Sequence, residues 1–135
     1  MGTAEVILDT SALAAIFFAE PDAPRFAAAI AAAAAPRLSA ATAVELAIVV
    51  GRRAGFGQLR PMDLYLERTG VHIVPFTADQ ARVARRAYQL FGRASGHPAR
   101  LNFGDCFAYA LAKLSGEPLL YKGGDFALTD LASAL

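Results

Sequence analysis

The chain is 135 residues long and 56% hydrophobic, and its 13 Lys and Arg against 12 Asp and Glu leave a formal net charge of +1. That length fits one domain, 1–135, which buries roughly two thirds of the surface its unfolded form would expose, and a composition this apolar excludes a disordered tail. The near-zero charge excludes no partner, since an acidic pocket can still face a basic rim, and the cations are almost all Arg, the residue suited to bidentate phosphate contacts.

Cys106 is the single cysteine, which excludes a disulfide framework and a thiolate metal cluster and points to a reducing compartment. The first apolar stretch is interrupted by Glu5 and Asp9, unlike a signal peptide. The longest apolar run, 26–35, lies between Arg25 and Arg37 and falls far short of the roughly 20 residues a membrane span needs. These features predict a cytoplasmic protein with no membrane segment.

In chain order, the strongest element comes first. In Glu5-Val6-Ile7-Leu8-Asp9-Thr10-Ser11-Ala12-Leu13 a β-branched, apolar run ends on a carboxylate and turns at once into an apolar helix. Val6, Ile7 and Leu8 read as a strand buried on both faces, and Thr10-Ser11 supply a helix start. Asp9 therefore falls at the carboxyl end of a central strand, where open α/β sheets bind their ligands. It is equally suited to capping the helix that follows.

That helix spans 11–20 and stops at Pro21; a second, alanine-rich one runs over 22–35 on propensity alone and ends at Pro36. Residues 37–40 form a weakly signalled strand leading into a helix over 42–50, bounded by Gly51 and by Gly55 to Gly57. An amphipathic helix follows at 61–68. Residues 71–75, Val-His-Ile-Val-Pro, are a short β-branched strand, and His72 belongs to its alternation, with no second ligand-type residue at metal spacing around it. The helix at 78–92 carries Arg82, Arg85 and Arg86 on one face, either a solvated surface or a patch for phosphate or a partner. A helical run then opens at Asn102-Phe103-Gly104-Asp105-Cys106 and ends at Ser115-Gly116, followed by a strand at 119–121 and a Gly123-Gly124 turn before Asp125. Strands alternating with helices predict a mostly parallel sheet with helices on both faces.

Four acids fall at comparable places: Asp9 after the first strand, Glu45 in the first turn of the helix after the second, Asp105 at a helix start, and Asp125 after the last strand. Each has a structural role available. Glu45 completes a Thr42-x-x-Glu45 capping box, Asp105 complements a helix dipole three residues after Asn102, and Asp125 suits a turn. Together they converge on one sheet edge. Clustered carboxylates raise one another's pKa unless a cation sits among them, and an all-oxygen cluster suits Mg²⁺ or Mn²⁺ and suits zinc poorly. The chemistry such a site supports is metal-assisted phosphodiester hydrolysis.

In this set of motifs the chain resembles the PIN-domain ribonucleases, and in particular the VapC toxins of bacterial toxin-antitoxin modules. The motifs are Val6-Ile7-Leu8-Asp9-Thr10-Ser11-Ala12-Leu13, Thr42-Ala43-Val44-Glu45, the run from Leu101 to Ala110, and Leu119-Leu120-Tyr121-Lys122-Gly123-Gly124-Asp125-Phe126 with Thr129-Asp130 behind it. The resemblance runs from end to end. It implies a three-layer α/β/α PIN-like fold with a central, mostly parallel sheet, cleavage of RNA with Mg²⁺ or Mn²⁺ as cofactor, a cognate VapB-like antitoxin that blocks the site, and homodimers paired through the early helices. Carried onto this chain, Asp9 and Asp105 are the main metal ligands, Glu45 the third acid and Asp125 the fourth. Thr10 or Ser11 is the hydroxyl beside the site, and Asn102 an orienting residue. Gly124 departs from the pattern, since relatives often have Asn or Asp there.

Other classes fit less well. A phospho-receiver domain would use Lys122 but needs an acceptor Asp after its middle strand, where this chain has Pro75-Phe76, and paired acids after the first. A haloacid-dehalogenase-type phosphatase needs a second Asp where Ser11 stands. A binding module without turnover has no use for four mutually repelling acids. Arg52, Arg53, His97 and Arg100 offer positive charge without a base code, so the sequence names no particular RNA.

Overall fold

The computed structural model describes residues 5–135. Four parallel strands, β1 (Val6–Leu8), β2 (Pro36–Ser39), β3 (His72–Val74) and β4 (Leu119–Leu120), form a sheet in the order β3-β2-β1-β4. Six helices cover it: α1 (Thr10–Phe17), α2 (Ala23–Ala32), α3 (Ala40–Ala54), α4 (Leu59–Arg68), α5 (Ala78–Phe91) and α6 (Asp105–Ser115).

The strand period of two divides the core between the two faces. Val6 and Leu8 of β1, with Leu38 and Leu120, pack against α1, α2, α3 and α4, while Ile7 and Leu119 point the other way into α5 and α6. Both faces of β1 are dry, which is why its three residues are all apolar. This is the three-layer α/β/α arrangement that the alternation of strands and helices predicts.

Several boundaries differ from the sequence expectation, each for a local reason. Helix α1 ends at Phe17, before Pro21 is reached, because Ala19 takes a left-handed conformation (φ 50°) and closes a Schellman motif. The N–H of Glu20 donates to the Ala15 carbonyl at 2.9 Å and that of Ala19 to Ile16 at 3.2 Å. Helix α2 stops at Ala32, with Ala33 already extended (ψ 138°), three residues before Pro36. Helix α3 begins at Ala40 and runs through Gly51 to Ala54. Its N-cap is Ser39, whose Oγ accepts the Ala41 N–H at 3.2 Å, so the expected Thr42-x-x-Glu45 capping box does not form. Gly51 is a packing residue: a Cβ there would lie 2.3 Å from the Phe56 ring.

Strand β3 forms the sheet edge with His72 and Ile73 exposed, and His72 registers against Arg37 as a strand residue. Among the described residues no helix is long and apolar enough to cross a membrane.

Candidate metal centre

The parallel sheet aims the carboxyl ends of β1 and β4 at one edge, and the residues that follow those strands build the site together with Glu45 of α3 and Asp105 of α6. Asp9 directly follows β1 and is the N-cap of α1, in extended backbone (φ −97°, ψ 155°). Its Oδ2 accepts the Ser11 N–H at 2.9 Å and the Ser11 hydroxyl at 2.6 Å. Capping and site-building are thus done by different oxygens of one carboxylate. The other oxygen, Oδ1, is buried and has no hydrogen-bond partner among the described residues, although Asp9 is only 3% exposed. An unpaired carboxylate oxygen away from water is costly to keep, and this one is free to accept a cation. Burial pushes the Asp9 carboxyl up to about 6; the two Ser11 bonds oppose the shift, and Glu45's charge adds to it.

The two residues after Asp9 reach outward. Thr10 Oγ1 donates to Glu45 Oε1 at 2.5 Å, holding that side chain across the gap between α1 and α3. Glu45 is the sixth residue of α3, in its second turn and not its first, so the acid is held by Thr10 and has no role at the helix end. Ser11 Oγ accepts the Lys122 backbone N–H at 2.9 Å while donating to Asp9, which ties the exit of β4 to the end of β1. The Lys122 ammonium turns away to Glu20 and to Asp22 (3.1 Å), and these bonds, Glu20's first, hold its pKa above the usual lysine value.

Asp105 opens α6. Its N–H donates to Asn102 Oδ1 at 2.8 Å and its Oδ2 accepts the Asn102 N–H at 2.9 Å, a reciprocal pair of the capping-box kind that fixes both residues. Burial raises the Asp105 carboxyl to about 7; the Asn102 N–H opposes this, and the charges of Asp9, Glu45 and Asp125 add to it. Asp125 is exposed, just before a short 3-10 turn, Phe126–Leu128. Neighbouring Cys106 is unsuited to nucleophilic work, because burial first, and then Asp105's charge, lift its thiol to about 11.

The structure therefore brings Asp9, Glu45 and Asp125 each within electrostatic reach of Asp105, and Glu45 within reach of Asp9, with Thr10, Ser11 and Asn102 each bonded to one of Asp9, Glu45 and Asp105. Among the described residues, no three His, Cys, Asp or Glu side chains close around a point as a finished cage. Magnesium needs no such cage, since it keeps several waters and is bound through one or two carboxylates. The donor set is all oxygen and its innermost member has a free, buried oxygen, so these residues fit a hard divalent cation.

One site residue has no chemical group to betray it in the sequence. Gly104 lies against the Glu45 carboxylate so closely that a Cβ would stand 1.6 Å from Oε2. Its only signal is a glycine directly before a helix start, where close backbone approach is one of several uses. Lys122's backbone N–H was equally invisible.

A family model described as PIN domain matches residues 6–131. Ribonuclease VapC30 of Mycobacterium tuberculosis is 48% identical over 128 residues, covering 95% of this chain and 97% of that protein. Ribonuclease VapC of Mycolicibacterium smegmatis is likewise 48% identical over 128 residues, covering 95% and 98%. Among solved structures, Mycobacterium tuberculosis VapC20, a Sarcin-Ricin loop cleaving toxin, superposes with a TM-score of 0.74 over 94% of this chain and 96% of that one at 19% identity, a likeness of fold. Matched across nearly its whole length by the family model and by these relatives, the chain belongs to the PIN-domain family and, within it, to the VapC ribonucleases.

Proposed function

We propose that this protein is a metal-dependent endoribonuclease that hydrolyses RNA phosphodiesters in the cytoplasm as the toxin of a toxin-antitoxin module. Asp9, Glu45, Asp105 and Asp125 would hold Mg²⁺, with Mn²⁺ able to substitute. The observation that carries the reading is the buried, unpartnered Oδ1 of Asp9 among three further acids. Relatives bearing the name VapC ribonuclease, at 48% identity over nearly the full chain, support the reaction class.

When bound, a cation of this kind activates a water and neutralises charge on the phosphate. The chain's own residues prepare its seat. Ser11 and Asn102 each donate to one oxygen of Asp9 and Asp105, and Thr10 to one oxygen of Glu45, so three flexible carboxylates are oriented before any ligand arrives. Burial of Asp9 against the sheet lowers the local dielectric and strengthens every interaction made there.

A cognate VapB-like antitoxin that covers the site belongs to the same proposal, because an always-active ribonuclease would destroy its host's RNA. A chain of a toxin-antitoxin complex from Klebsiella pneumoniae shares the fold, with a TM-score of 0.65 at 21% identity over 90% of each chain. Homodimerisation is also proposed. The exposed Ala28, Ala31 and Ala32 of α2 are apolar surface that pairing through the early helices would cover, and sedimentation of the isolated protein checks it.

Thermal unfolding with and without Mn²⁺ tests the metal centre, since a ligand at 100 times its dissociation constant that binds only the folded state adds about 2.7 kcal/mol of stability. The wild type should show this rise and cleave RNA only with divalent metal. Asp105→Asn should lose both. A mutant that still responds to Mn²⁺ and still cleaves would refute the assignment.

A further inference from the structure

We propose that the aromatic groove between α5 and the start of α6 is a stacking subsite for one unpaired nucleobase of the RNA strand, beside the bond to be cut. The proposal rests on the nuclease reading of the acids and adds to it where the strand lies and what grips it.

Phe103 is a large apolar side chain left 75% exposed, two residues before Asp105. Its ring meets Phe107 edge-on at 4.8 Å, and Phe107 meets Phe76 edge-on at 5.2 Å, so three rings form a supported platform. They line a cavity of about 490 Å³ whose rim carries Arg85, Tyr88 and Gln89. Cys106, next in sequence to Asp105, also lines it, so the groove reaches the first turn of the helix that Asp105 opens.

The chemistry of this lining selects the occupant. Single-stranded RNA is recognised by stacking unpaired bases on aromatic rings or Arg planes and by hydrogen bonds to base edges, and the groove presents rings, a guanidinium, a phenol and an amide together. The charge distribution agrees. Arg82 is bound to Asp79 on its own helix, whereas Arg85 and Arg86 have no acidic partner among the described residues. Arg85 is therefore available to a backbone phosphate flanking the stacked base, the anion its planar fork fits best. A strand anchored there runs from a basic rim, across the rings, to the carboxylates.

The test is fluorescence anisotropy of the full chain with a labelled pool of randomised single-stranded RNA octamers, in calcium so that nothing is cut. Stacking of one base is worth about 1–3 kcal/mol by alanine substitution, so Phe103→Ala should weaken binding by roughly 5- to 150-fold. Phe103→Tyr should restore binding and Phe103→Leu should not, because only the aromatic variant offers a π face. All three should keep the wild-type stabilisation by Mn²⁺. Wild-type affinity in Phe103→Ala, full binding by Phe103→Leu, which would make the groove an apolar protein-docking surface, or no RNA binding by the wild type would each overturn the proposal. If Asp105→Asn abolishes cleavage and the Mn²⁺ response while Phe103→Ala binds RNA normally, only the subsite has failed. If Asp105→Asn changes neither, the nuclease reading has failed with it.

Discussion

At the scale of single residues, Asp9 and Glu45 each divide their two carboxylate oxygens between two tasks. Asp9 caps α1 with Oδ2 and leaves Oδ1 unpaired; Glu45 accepts from Thr10 with Oε1 and lays Oε2 against Gly104. Gly104→Ala should therefore be far from neutral. A Cβ 1.6 Å from Oε2 has to push Glu45 off its Thr10 bond, so the variant should fold but lose most of its stabilisation by Mn²⁺. Gly124→Ala, with nothing within 4 Å of the new carbon, should leave that response intact. Equal behaviour of the two would show that Glu45 has no fixed seat at Gly104.

The same carboxyls set a pH dependence. Burial raises Asp9 to about 6 and Asp105 to about 7 from the ordinary 3.8, so in the metal-free protein the folded state holds protons that the unfolded chain has released. Stability from these groups is fully present below about pH 4 and is lost as pH rises through 6 and 7, on the order of 3 kcal/mol for buried Asp9. Without metal, wild-type melting should therefore fall relative to Asp105→Asn between pH 5 and 8. With Mn²⁺ the trend should invert, since ligands must be deprotonated to bind. Parallel melting curves for the two proteins would contradict the shift at Asp105.

At the scale of elements, helix ends carry much of the information. Ser39 caps α3 through the Ala41 N–H, and Ser39→Ala should cost about 1 kcal/mol in denaturant unfolding. Ala19 sits at φ 50°, in a region that favours glycine, at the turn that ends α1. Ala19→Gly should stabilise by a few tenths to about 1 kcal/mol, because relief of that conformation outweighs the added freedom of the unfolded chain. A loss of stability there would mean that the Ala19 methyl contributes more than its backbone strain costs.

At the scale of the whole molecule, the sheet is the frame on which the site is measured. Ile7 is fully buried in the middle layer, facing α5 and α6, and Ile7→Ala should cost about 2–5 kcal/mol. Tyr109 and Lys113 on α6 both bond Asp130, at 2.6 and 2.7 Å, which pins the C-terminal segment to the helix that carries Asp105. Burial of Asp130 favours its neutral form, but the Lys113 and Tyr109 bonds win and hold its carboxyl below the usual range.

Much of this protein was legible in its sequence because the signals are local. The apolar run before Asp9 reads as a strand dry on both faces, and Asp9 after β1, Asp105 at the start of α6 and Asp125 beyond β4 follow from reading element ends. Asn102 and Asp105 stand three apart, the spacing at which backbone and side chain satisfy each other. What the sequence left undecided was settled partly at helix ends, where one of several possible local signals won, and partly by contacts between distant segments. The length of α1 was set by a left-handed alanine and not by the proline after it, and the start of α3 by Ser39 in place of the Thr42 that its spacing with Glu45 suggested. Thr10 meets Glu45 across 35 residues and Lys122 meets Ser11 across 111, and no local pattern encodes such pairs. Residue type records which chemistry a side chain can do. Only packing in three dimensions determines which of its atoms are left free to do it.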